Sequence, residues 1–192
     1  MSDLMIDCIT SLDGFGAAEG WPGLWGLGGP EYFELLETDP HRHDTLLMGA
    51  TTYRLFEEFL RTGEPGIEAL AEIPKVVFSS TLTEPLAWER TTLVSSDATE
   101  AVRTMKRESD AGLRTLGSPT LCRSLLEAGL VDRYRVVVFP VVNGATGQDR
   151  MYDGWPDVAL DLIESRTLDG RLQLLEYAPT VLDGPPGTDA TA

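Results

Sequence analysis

Four short stretches rich in glycine and hydroxyl residues each follow an apolar run and hold most of the chemistry this chain can offer. They are Ser11–Gly16 (SLDGFG), Gly49–Thr52 (GATT), Ser79–Thr81 (SST) and Gly117–Thr120 (GSPT). Glycine lets a ligand approach the backbone without meeting a Cβ. Hydroxyls both donate and accept hydrogen bonds. The turns at Gly49 and Gly117 run directly into helical patterns, and a helix N-terminus offers free N–H groups and partial positive charge to a phosphate. Two such turns would suit the two halves of a dinucleotide. Neither GxGxxG nor a P-loop occurs. Asp13 is the acid in the first stretch. It either orients a substrate amine or amide and relays a proton, or closes an Asx turn on its own backbone at Asp13-Gly14. Trp21 and Trp25 stand in a Gly/Trp/Pro loop between Glu19 and Pro30. They either stack on a flat ligand or pin that loop to the core.

The elements that must position these turns follow from periodicity. Apolar runs predict strands over Leu4 to Thr10, Thr45 to Met48, Lys75 to Phe78, Thr91 to Val94, Leu113 to Leu116 and Arg135 to Val142. Helical spacing predicts helices over Glu31 to Thr38, from Gly49 to about Leu60, from Ala98 to about Asp110, and from Ser118 to Ala128. The Ser118 hydroxyl is expected to cap the last of these, with Pro119 in its first turn and Gly129 as its stop. Asp169-Gly170 is a hairpin signal between apolar runs, so the carboxyl end reads as antiparallel. The fold class is therefore α/β, a mostly parallel sheet with an antiparallel C-terminal hairpin, whose glycine-marked exits share the edge where such sheets bind ligands. The expected domain is 1–181, followed by a Gly/Pro/Thr-rich disordered tail over 182–192.

Composition narrows the function class. The chain has 192 residues, enough for one substantial core, and a formal net charge of −16. That charge argues against nucleic acid and against an anionic membrane surface. The two cysteines, Cys8 and Cys122, sit in apolar contexts and read as small buried hydrophobes rather than a disulfide. His41 and His43 in a polar loop give no metal pattern, so no metal is expected. No signal peptide or membrane-length segment is read, which makes a cytoplasmic protein the default.

The order SLDG at Ser11, LLMGATTYRLF from Leu46, KVVFSSTL from Lys75 and LGSPTLCRSLLEAGLVDRYRVVVFPVVNG from Leu116 resembles the dihydrofolate reductase-like superfamily. It is most similar to the reductase domain of bifunctional riboflavin-biosynthesis deaminase–reductases and its stand-alone relatives. The resemblance spans roughly Leu4 to Tyr177. It implies a three-layer α/β/α fold, NADPH, hydride transfer to a small pyrimidine- or pterin-like substrate, and a homodimer, for which the Arg135 to Pro140 region is a candidate surface. By the same resemblance Gly49, Ala50, Thr51 and Thr52 lie near the cofactor phosphates, and Ser79 and Ser80 near the adenosine half. Gly117, Ser118, Pro119 and Thr120 lie under the pyrophosphate, and Asp13 beside the nicotinamide and substrate. The chain departs from the pattern at Ala50, where dihydrofolate reductases usually carry Arg, at Ser118, where a second glycine is usual, and at Arg133, where glutamate is common. Glu34 and Glu37 read as surface carboxylates rather than as the proton donor. These departures keep a second reading open, a catalytically inactive nucleotide-binding protein on the same fold.

Overall fold

The computed structural model describes residues 2–20, 24–63 and 67–187. The strands are β1 (Leu4–Ser11), β2 (Phe15–Ala18), β3 (Thr45–Gly49), β4 (Lys75–Phe78), β5 (Thr91–Val94), β6 (Leu113–Thr115), β7 (Arg133–Phe139), β8 (Gly147–Arg150), β9 (Val158–Leu168) and β10 (Leu172–Val181). The helices are α1 (Pro30–Thr38), α2 (Ala50–Thr62), α3 (Ala98–Glu108) and α4 (Pro119–Glu127). Eight strands form one sheet in the order β5-β4-β3-β6-β1-β7-β10-β9. The first six are parallel, and β10 and β9 add antiparallel to β7 and to each other. The α/β expectation with its antiparallel C-terminal hairpin is met.

The order explains the layers. The chain steps outward from β1 to β3, β4 and β5, then returns to insert β6 between β3 and β1. Parallel crossovers are right-handed, so the outward steps put α1 and α2 on one face and the return puts α3 and α4 on the other. Packing agrees. One continuous cluster joins Ile6, Cys8, Leu113 and Val136 to Val102 of α3 and Leu121, Cys122 and Leu125 of α4. On the opposite face the core is split. Tyr32 of α1 packs with Val137, Phe139, Leu172 and Leu174, whereas Tyr53 of α2 packs with Leu46, Met48, Val77 and Trp88.

Some expectations need correction. The hairpin strand before Asp169, β9, runs unbroken from Val158 to Leu168 and pairs with β10 across a single irregularity at Glu176/Tyr177. The strand expected from Arg135 to Val142 begins at Arg133 and ends at Phe139. It cannot be a dimer surface through its edge, since β1 and β10 flank it on both sides. A two-stranded sheet of β2 and β8 beyond the main sheet was not foreseen. Cys8 and Cys122 are buried and free, as expected, and burial pushes the Cys122 thiol up to about 11. In the expected tail, the Leu182 N–H donates to the Asp157 carbonyl at 2.8 Å, and residues 188–192 lie outside the described residues.

Lys75, at the start of β4, is 1 % exposed. Its ammonium donates to the carbonyls of Ile73 (2.6 Å), Leu70 (2.8 Å) and Ala71 (3.1 Å) and lies 4.6 Å from the centre of the Trp88 ring. Those carbonyls belong to the last residue of the short helical turn Ile67–Leu70 and to the segment that follows it. Lys75→Ala strands them and opens a gap beside Trp88, so it is expected to cost about 3 kcal/mol in chemical denaturation.

Candidate active site at the strand exits

The parallel strands bring the exits of β4, β3, β6, β1 and β7 to one edge, in that order. With strands about 4.8 Å apart, the row from Ser79 to Ser11 spans roughly 14 Å. Gly49 and Gly117 are neighbours in it. The Gly49 N–H donates to the Ser118 hydroxyl at 2.8 Å, and the Thr52 hydroxyl lies 2.8 Å from the same oxygen. Gly117 and Ser118 both take left-handed backbone, with φ of 56° and 63°. A Cβ on Gly117 would lie 3.1 Å from the Thr52 hydroxyl oxygen, so glycine is needed there for conformation and space alike.

The Ser118 hydroxyl does not cap α4 as expected. It is N-cap by position but makes no side-chain cap bond, because its left-handed backbone turns the hydroxyl toward the α2 turn. Gly49, the N-cap of α2, likewise supplies no cap bond. The other two helices differ. The Asp97 carboxylate accepts from the Glu100 N–H at the start of α3. At the start of α1, the Asp169 carboxylate from the β9–β10 turn accepts from the Glu31 and Tyr32 N–H groups at 2.9 and 3.2 Å. The two helices whose N-termini meet at the ligand edge are thus the two without a carboxylate cap. Their orphan N–H groups and partial positive charge fit the phosphates of a dinucleotide.

At the β4 exit, the Ser79 hydroxyl accepts from the Thr81 and Leu82 N–H groups at 3.1 and 3.0 Å and so shapes the turn. Ser80 is exposed. Arg54, one turn into α2, reaches the Thr81 hydroxyl at 3.3 Å. It supplies an exposed cation near the position where Ala50 has none. Sequence reading passed over it, although its place four residues after Ala50 on a helix brings it to the same side.

At the other end of the row, Asp13 bridges two loops. It accepts from the Ser11 hydroxyl (2.6 Å), the Asn143 N–H (3.1 Å) and the Gly144 N–H (2.9 Å). The carboxylate reaches across to the loop after β7, which goes beyond a local Asx turn. The Ser11 hydroxyl, followed by the Gly144 and Asn143 N–H groups, holds its carboxyl down at about 2. Asp13 is therefore an anion at neutral pH. Its contribution to holding the loops together is full above the ordinary carboxylate range and is lost as pH falls toward 2. Trp25 donates from Nε1 to Asn143 Oδ1 at 3.0 Å and lies 5.2 Å from the Phe139 ring. It fastens its loop to the β7 exit, the second of the roles weighed for it. Trp21 lies outside the described residues. Leu12 and Val142, each 69 % exposed, form an apolar lip on these two loops.

Behind the edge, on the α1/α2 face, lie charges that sequence reading also left unassigned. Asp7 of β1 meets Arg114 of β6 at 3.2 Å and Arg135 of β7 at 3.3 Å. Asp39, just after α1, meets Arg135 at 2.5 Å and Arg114 at 3.9 Å. Burial opposes ionisation of Asp39, but Arg135, the His41 N–H and Arg114 together hold its carboxyl below the usual range. Among the described residues, no group of three or more His, Cys, Asp or Glu is placed to hold a metal ion, and no helix is long and apolar enough to cross a membrane.

Comparison with known proteins accords with this geometry. Residues 3–174 match the family described as the RibD C-terminal domain. The uncharacterized protein YyaP of Bacillus subtilis (strain 168) is 23 % identical over 182 residues, covering 91 % of this chain and 93 % of that one. A diaminohydroxyphosphoribosylaminopyrimidine deaminase/5-amino-6-(5-phosphoribosylamino)uracil reductase from Thermotoga maritima superposes with a TM-score of 0.66 at 15 % identity, over 93 % of this chain and 57 % of that chain. Dihydrofolate reductase from Enterococcus faecalis, complexed with NADP(H) and RAB-propyl, gives a TM-score of 0.62 at 13 % identity, over 93 % of this chain and 96 % of that chain.

Proposed function

Because this chain belongs to the RibD C-terminal domain family, we propose that it is an NADPH-dependent reductase acting on a small pyrimidine- or pterin-like heterocycle. The observation that carries the reading is the joined pair of uncapped N-termini at α2 and α4, locked together by the Ser118 hydroxyl. In this reading Gly49, Ala50, Thr51 and Thr52 hold one phosphate, and Gly117, Ser118, Pro119 and Thr120 the pyrophosphate. Ser79, Ser80 and Arg54 face the adenosine half. When bound, the cofactor supplies the hydride. The chain's own residues then align donor and acceptor and keep water out. Asp13 keeps the β1 and β7 exits together around the nicotinamide and offers a fixed negative charge to a substrate amine or amide. Held near 2, it orients and does not donate a proton.

The test is a titration with NADPH, followed by loss of nicotinamide absorbance with 5-amino-6-(5-phosphoribosylamino)uracil and dihydropteridines. Turnover that falls by about two orders of magnitude in Asp13→Asn through loss of substrate alignment, with NADPH affinity unchanged, is the expected result. Tight NADPH binding without turnover across the panel would favour the inactive nucleotide-binding reading, which draws on the three hydrogen bonds that Asp13 already accepts from Ser11, Asn143 and Gly144. Failure to bind NADPH would overturn both. Arg54→Gln is expected to weaken NADPH about tenfold and leave NADH unchanged, since only the former carries an additional phosphate for a guanidinium. Fluorescence titration with both cofactors checks this.

Homodimer formation falls to β9 rather than β7. It is the sheet edge beyond β10, and Leu160, Leu162 and Ile163 on it are exposed. An exposed edge of this length is a template for pairing, and sedimentation equilibrium would register the dimer.

A further inference from the structure

The α1/α2 face of the sheet is not closed. On the α3/α4 face the central strands are covered, with Ile6 at 0 %, Cys8 at 8 % and Leu113 at 1 % exposure. On the other face Asp7 and Ile9 of β1, Arg114 of β6 and the adjoining Leu116 are only half-buried, although β6 and β1 are interior strands. Ile9 packs at the margin of the α1 cluster and Leu116 at the margin of the α2 cluster. No cluster bridges them. The late insertion of β6 explains the gap, because α1 and α2 were laid over strands that β6 then separates. The result is a cleft with apolar sides at Ile9 and Leu116 and a charged floor at Asp7 and Arg114.

The four charges of that floor are not equivalent. Asp39 and Arg135 are closed in, with side chains 2 % and 6 % exposed and 2.5 Å apart. Asp7 remains 23 % exposed, and its ion pairs are all longer, at 3.2 to 3.3 Å. The ion pairs of Arg114 run through Nη1 alone, while its Nε is buried with no hydrogen-bond partner among the described residues. The buried half of the ring holds α1 to the sheet. The other half keeps an acceptor on Asp7, 23 % exposed, beside the guanidinium of Arg114, 11 % exposed, whose ion pairs leave one nitrogen without a partner among the described residues.

We propose that Asp7 and Arg114 are the specificity-determining pair of this cleft and read a cyclic amide edge, with Asp7 accepting from the ring N–H and Arg114 donating to the adjacent carbonyl. This rests on the reductase reading above and deepens it. Ile9 lies two residues, roughly 7 Å, up the strand from Asp7, toward the exits where the cofactor turns open. A ring anchored at Asp7 thus has its far side facing the nicotinamide end. A site built to pair N–H and C=O rejects rings that lack them, because its own groups would be left unpaired. The pair positions the substrate and takes no part in proton transfer.

The test is calorimetric titration of the NADPH-saturated protein with 5,6-diaminouracil and with its 1,3-dimethylated form, which lacks both ring N–H groups. The wild type is expected to bind the unmethylated probe at least about tenfold more tightly. In Asp7→Asn that preference is expected to collapse, and Arg114→Gln is expected to weaken both probes, with NADPH affinity unchanged in each variant. Equal affinity of the wild type for the two probes, or no binding of either to NADPH-loaded protein, overturns the proposal without relying on any variant to fold. An undiminished preference in a folded Asp7→Asn overturns it too and leaves the ring purely structural. Loss of NADPH binding by the wild type would instead sink the reductase reading.

Discussion

Ser118→Asp is expected to weaken NADPH binding about a hundredfold while leaving the melting temperature unchanged or slightly raised. The two effects have opposite signs for one reason. A carboxylate at position 118 sits at the N-terminus of α4, where negative charge is favoured by about 0.3–1 kcal/mol. It also keeps an acceptor for the Gly49 N–H, which now reaches the Ser118 hydroxyl at 2.8 Å. Aspartate tolerates the left-handed backbone that Ser118 adopts at φ 63°. The same charge, however, would stand about 4 Å from a bound phosphate, and like charges at that distance near a protein surface repel by about 4 kcal/mol before screening. Thermal melting and NADPH titration of the same preparation check the pair. Retained affinity would place the phosphates elsewhere. Because stability is not lost, unfolding cannot stand in for the binding defect.

Asp39→Ala is expected to cost about 3–5 kcal/mol, the largest stability loss among these variants, because it leaves Arg135 as a buried charge short of its nearest counter-ion. The Asp39 and Arg135 side chains are 2 % and 6 % exposed, with 2.5 Å between them. A loss of that size is a large part of the stability of an ordinary domain. Replacing both members, as Asp39→Leu with Arg135→Met, removes the stranded charge and is expected to recover most of the loss. Urea denaturation of the single and double variants checks both statements. The pair also sets an acid limit. With the Asp39 carboxyl held below its usual range, its stabilising share is full above that range and is lost as pH falls through the lowered value. Asp39→Ala should therefore show a flatter acid limb than the wild type.

Much of the fold was legible in the chain because local signals were consistent. The Gly49 and Gly117 turns each sit between an apolar run and a helical stripe, so the strand–turn–helix units and the α/β class followed from periodicity alone. What periodicity could not supply was the order of strands. Nothing near Leu113 announces that β6 lies between β3 and β1. That insertion makes Gly49 and Gly117 neighbours, turns Ser118 from a cap into a clasp, and opens the cleft above Asp7.

The charges show the same division. Asp7 is visible as an acid in an apolar strand, and Arg114 and Arg135 as cations in two more. Their partners lie 107 and 128 residues away in the chain. A buried charge is intelligible only with its counter-ion, and the tertiary structure chooses which counter-ion that is. The chain by itself determined the elements, the glycine turns and the acidic character of the molecule, since each depends on neighbours in sequence. Strand order, the bridge from Asp13 to Asn143 and Gly144, and the split between closed and open ion pairs were decided only when distant segments met. Hydrogen bonds and ion pairs act over a few ångströms of space, whatever the number of residues between their partners.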